Sequence, residues 1–144
     1  MSYSPDISPV PAPLWGVNLR SVLSRTQWRK LRESVIEERS LRCETCGQQQ
    51  SEPRDIAAHE EWTYDTATAP AVAKLTGIHL SCWLCHAVEH FGATTNMVAS
   101  GEVGRFAVED AIAHFCRLNS IGRAEFEAHH NEAFAEWSRR NGME

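Results

Sequence analysis

Apolar positions recur at helical spacing in three segments of this chain. Trp28, Leu31, Val35 and Ile36 line one face, and Ser24 with Gln27 three residues on is a capping-box signature, so a helix is expected from about Thr26 to Arg39. Val108, Ala111, Ile112 and Phe115 form a second stripe, and Phe126, His130, Ala133, Phe134 and Trp137 a third. With Asn119 to Gly122 between them, these read as two antiparallel helices within 105–140. The centre of the chain has a shorter period. Asp55 to His59 reads as a short strand, and Leu75 to Leu80 as a second strand interrupted by Gly77. A helix opened by Cys85 follows, with Gly92 as its terminator. Glu61 to Ala73 mixes Trp62, Tyr64 and Asp65 with Thr, Ala and Pro70 and gives no regular period. Residues 1–13 hold four prolines and no apolar period, which predicts a disordered or extended arm. Leu14, Trp15, Val17 and Leu19 then begin a single domain over 14–144.

Composition sets limits on this picture without changing it. A chain of 144 residues, 42% hydrophobic and 23% charged, suits one soluble globular domain. No apolar run nears the roughly 18 residues of a membrane span. The first thirteen residues lack the basic and apolar regions of a secretory signal, so a cytoplasmic location is expected. The net charge of −5 argues against nonspecific wrapping of nucleic acid. Its distribution is uneven. Asn18 to Arg42 holds seven basic residues against three acidic, so Arg25, Arg29 and Arg32 are the first candidates for phosphate contact, with a solvated helix face as the alternative. The acidic C-terminal half would suit a protein partner.

The candidate chemistry lies in the cysteines and histidines. Cys43-Glu44-Thr45-Cys46 and Cys82-Trp83-Leu84-Cys85 are two CxxC pairs with 35 residues between them, able to supply four thiolates to one tetrahedral structural zinc. Gly47 can take positive φ and close the first turn into a knuckle. Cys116 stands apart as a small buried apolar residue. His86 and His90, four apart on one helix face, can share a second metal ion. Adjacent residues on a helix point about 100° apart, which predicts a core-facing His130 and a solvated His129. His114 reads as structural, and Trp62 and Trp83 as walls of the site.

A strand ending in histidine, a second strand, and a helix opened by CxxC-His resembles the HNH nuclease family, also called the ββα-metal fold. The resemblance covers roughly Trp28 to Gly92, and the lead-in of Trp28, Leu31 and Arg32 running to Cys43-Glu44-Thr45-Cys46-Gly47 is similar to that of many zinc-containing members. It implies an α+β chain: a ββα-metal core over 26–92 with a four-cysteine zinc knuckle, flanked by an N-terminal helix and two C-terminal helices. It also implies DNA as substrate. Aligned on His59-Glu60, His59 joins His86 and His90 as ligand of a catalytic metal and Glu60 takes the place of the general base. Aligned one residue earlier, His59 is the base and Ala58 stands at the ligand position. The family's middle asparagine falls at Gly77, for which Asp65, Glu61 or His79 are possible substitutes, and Tyr64 and Asp65 suggest support for a ligand imidazole.

Phosphodiester hydrolysis needs a base for the attacking water and a cation to neutralise the phosphoryl oxygens. Three imidazoles suit Zn²⁺ or Ni²⁺, and an added carboxylate from Asp65 or Glu60 would shift preference toward Mn²⁺ or Mg²⁺. A glutamate base would need burial to raise its pKa. Two functions therefore follow: a metal-dependent DNA endonuclease or nickase, or a degenerate zinc-stapled module that binds DNA or a protein and cuts nothing. A thiol redox protein is a third and weaker reading. Oligomeric state and DNA preference are not encoded in any motif.

Overall fold

The computed structural model describes residues 3–7, 18–67 and 69–140. The chain is a mixed α+β protein with a two-stranded antiparallel sheet and, among the described residues, six α-helices. It divides into two compact units, one of residues 10–82 and one of residues 1–9 with 83–144. The start expected at Leu14, Trp15 and Val17 lies outside the described residues.

In the unit of residues 10–82, α1 (Leu19–Val22) and α2 (Arg25–Arg39) precede the sheet. The Ser24 capping box forms as expected: the Gln27 N–H donates to Ser24 Oγ at 3.1 Å, and the Ser24 N–H donates to Gln27 Oε1 at 2.9 Å. A 3-10 turn over Pro53–Asp55 leads into β1 (Ile56–Asp65), which pairs with β2 (Val72–Cys82). Both strands are longer than the sequence predicts, because Trp62 and Tyr64 extend the alternation through the stretch that showed no period. A bulge between Glu61 and Trp62 breaks the register: Glu61 faces Gly77, whereas Trp62 faces Leu75. Val35, Ile56 and Leu80 form the buried core, with Leu31, Ile36, Leu41, Ala58 and Ile78 packed around it.

In the other unit, α3 (Trp83–Glu89) is followed directly by α4 (Phe91–Ala99), then α5 (Ala107–Asn119) and α6 (Arg123–Arg140). Gly92 does not end a helix. The break falls at His90, whose φ of −110° and ψ of 49° leave the helical region, and Gly92 lies inside α4, where an added Cβ would touch the Phe134 ring at 3.6 Å. Thr94 Oγ1 donates to Ala87 O at 2.9 Å and bridges the break. The two C-terminal helices form as predicted. Phe115 and Phe126 pack edge to face at 5.4 Å, and Phe91 meets Phe126 at the same distance.

Tyr3 to Ile7 depart from the expected disordered arm. Ile7 is buried in this core, Tyr3 packs on Phe115 at 5.5 Å, and Asn119 holds both the N–H and the carbonyl of Ser4. Two apolar side chains, Tyr3 and Ile7, are enough to seat residues 3–7. The arm also changes the histidine assignment. His129 stacks on Phe115 at 5.6 Å and pairs with Asp6 at 3.1 Å, so it is not solvated, while His130 lies against Phe91 and Phe134. Among the described residues no helix is long and apolar enough to cross a membrane.

Candidate metal centre

The first CxxC is built as a tight knuckle. The Gly47 N–H donates to Cys43 O at 2.9 Å, with Gly47 at φ +79°, and the Cys43 N–H donates to Gln48 O at 3.0 Å. The Cys46 N–H points at Cys43 Sγ at 3.5 Å. Glu44 fastens the knuckle to β2: its N–H donates to Leu80 O at 2.8 Å, its carboxylate accepts the Leu80 N–H, and Arg39 pairs with it at 3.0 Å. The second CxxC spans the end of β2 and the first turn of α3.

One sulfur from each of Cys43, Cys46, Cys82 and Cys85 lies within 4.8 Å of the others, and this group can hold a structural metal ion such as zinc. The fit can be checked. Four thiolates at about 2.3 Å from a tetrahedral zinc are about 3.8 Å apart, and Cys46 Sγ lies 3.8 Å from Cys82 Sγ. Cys43, Cys82 and Cys85 are buried, and none of the five cysteines is in a disulfide. Cys116 is half-buried rather than buried, with its thiol directed at Gly122 O. Burial pushes that thiol above its ordinary pKa, Arg123 opposes the shift, and Glu125 adds to it.

A second group joins one ring nitrogen each from His59, His86 and His90 within 4.8 Å, and a third joins His59, His79 and Glu89. His86 and His90 meet as their spacing predicts, ring centroids 4.7 Å apart. His59 faces His79 across the hairpin at 4.8 Å, and His79 Nδ1 lies 2.8 Å from Glu61 Oε1. Gly77 explains how that carboxylate finds room: a Cβ at residue 77 would meet Glu61 Oε2 at 3.1 Å. The absence of a side chain at Gly77 therefore seats Glu61.

Other expected site residues lie elsewhere. Side chains alternate along a strand, so Glu60 points to the opposite face from His59, the face of Ile56, Ala58 and Leu80. There Glu60 Oε1 accepts the Leu19 N–H at 2.7 Å and the Trp62 indole N–H at 3.2 Å, fixing the start of α1. A base beside a His59 ligand cannot come from that position, and Trp62, on the Glu60 face, does not wall the His59 side. Tyr64 and Asp65 fall in the far half of β1, five and six residues from His59, about 17–20 Å along the strand. Asp65 instead accepts the Ala67 N–H at 3.0 Å in the hairpin loop. Trp83 is half exposed.

The three arginines divide. Arg25 and Arg29 are exposed, with Glu33 at 3.9 Å from Arg29. Arg32 turns inward and donates to Pro53 O and, at 2.6 Å, to Ile56 O. The sequence did not point to Glu89 as a partner of His59 and His79, nor to His114 as a neighbour of the cysteines. His114 is buried and its Nε2 lies 3.2 Å from Cys85 Sγ. A histidine on the buried stripe of α5 was the available signal. Comparison of the chain with protein-family models, curated proteins and solved structures gives no match.

Proposed function

We propose that this chain is an HNH-type nuclease that hydrolyses DNA phosphodiesters with a bound divalent metal. The observation that carries the reading is the grouping of His59 with His86 and His90. One histidine from the first of two paired strands, one from the helix after the second and one from the residue just past that helix support a ββα-metal core. The four-cysteine cluster supports the zinc knuckle of that family. A cation held by the three imidazoles would neutralise charge on the phosphoryl oxygen and leaving group. His79, held by Glu61 on the His59 face, is the proposed acceptor of a proton from water. Arg25 and Arg29 offer exposed charge to phosphate. Three imidazoles favour Zn²⁺ or Ni²⁺, and a carboxylate from Glu89 would favour Mn²⁺ or Mg²⁺.

The test is metal content and plasmid cleavage on one preparation, wild type beside His59→Ala, in Mg²⁺, Mn²⁺, Ni²⁺ and Zn²⁺ separately. Metal-stimulated cutting that the mutant loses while remaining folded is expected. A second reading, a zinc-stapled adaptor for DNA or a protein, is favoured by the tying of Glu60 into the fold. One bound zinc with no cutting in any metal would select it.

A further inference from the structure

We infer that His114 is a positioning residue of the four-cysteine metal site, donating its Nε2–H to the Cys85 thiolate. The inference rests on the reading that these cysteines hold zinc. Four thiolates on one divalent ion leave a net charge of −2, and Cys43, Cys82 and Cys85 are all buried. A buried anion of this kind is stabilised by N–H donors aimed at the sulfurs. The knuckle supplies one, from Cys46 N–H to Cys43 Sγ at 3.5 Å. Cys85 lies in the first turn of α3, and its sulfur has the His114 ring of α5 at 3.2 Å. That separation suits a hydrogen bond strengthened by a charged acceptor. A buried imidazole in an otherwise apolar stripe of Ala111, Ile112 and Phe115 carries a desolvation cost that leucine would avoid. The bond to a metal thiolate offsets that cost and fixes the Cys85 rotamer in the bound geometry. It also places part of the metal site's stability in a helix that contains none of its ligands.

The test is zinc transfer to a chromogenic chelator from wild type, His114→Phe and His114→Gln. Phenylalanine keeps the ring volume without a donor, and glutamine carries an N–H near the reach of Nε2. The expected result is zinc held about 10- to 100-fold less tightly in His114→Phe, with His114→Gln close to wild type. Equal retention by wild type and His114→Phe would overturn the inference, and an equal loss in both variants would show packing rather than donation. Wild type without zinc would instead overturn the reading beneath it. If His114→Phe fails to fold, cadmium-113 wild type carries the test. A slowly exchanging His114 Hε2 coupled to the metal through sulfur is expected, and a rapidly exchanging, uncoupled proton overturns the inference.

Discussion

At residue 77 the loss of a side chain marks a gain of space. Glu61 and Gly77 face each other where the bulge begins, and Glu61 reaches His79 over the bare backbone. Gly77→Ala should move the carboxylate by a few tenths of an ångström. Because the contact is with the end of a flexible side chain, stability should change by under about 0.5 kcal/mol. If the chain cleaves DNA as proposed, cleavage should fall with little change in melting temperature. Gly77→Asn, which supplies the residue type that the HNH resemblance implies, should on that proposal lower cleavage too, and an increase would mean that Gly77 limits activity. Glu60 makes the opposite prediction. Glu60→Ala leaves the Leu19 N–H and the Trp62 indole without their acceptor, costing about 1–3 kcal/mol. Urea unfolding should show that loss, and on the nuclease proposal cleavage should persist in part under stabilising conditions. Strand alternation separates His59 from Glu60, a constraint that the alignment placing both at one site did not apply. The seat for Glu61 was hidden because it depends on a register that no local pattern sets.

Among the elements, α2 was the most legible. Its cap and apolar stripe are local features, and the helix over Arg25–Arg39 follows from them. The inward turn of Arg32 was not legible, since its acceptors, Pro53 O and Ile56 O, are more than twenty residues away in the chain. Arg32→Leu should therefore destabilise the protein by about 1.5–3 kcal/mol, the range for hydrogen bonds from a charged group. Arg25→Ala and Arg29→Ala should each change stability by under about 0.5 kcal/mol, as exposed charges do. If DNA is bound, those two should weaken it and reduce the salt dependence, while Arg32→Leu acts through the fold. A shallower salt slope from Arg32→Leu at unchanged stability would reverse that assignment. The break between α3 and α4 was obscured by Gly92, a residue that resembles a terminator and here makes room for Phe134. Histidine spacing survived that error, because the His90 N–H still donates to His86 O at 3.0 Å across the end of α3 and keeps the two rings together.

For the whole molecule, the two units differ in their share of the clustered cysteines. Among the described residues, the helical unit buries a cluster that includes Ile7, Val88, Phe91, Phe115 and Phe126. Among the described residues of the unit with the hairpin, Val35, Ile56 and Leu80 form the buried cluster, around which half-buried side chains pack. Cys43, Cys46 and Cys82 all belong to this unit, so metal bound there would be part of its folding energy. Metal removal should therefore act unevenly. With a strong chelator, amides of the knuckle and of β1 and β2 should lose hydrogen-exchange protection, while α5 and α6 keep theirs and most helical circular dichroism persists. Alkylation gives an independent count. In the metal-bound protein Cys116 is the cysteine outside the cluster, and its raised thiol pKa should make labelling slow at neutral pH. Chelation should then expose four further thiols. Simultaneous labelling of all five without chelator would mean that the cysteines hold no metal. Uniform loss of protection across both units would mean that the aromatic core of the helices is not self-sufficient, and that metal supports the entire chain.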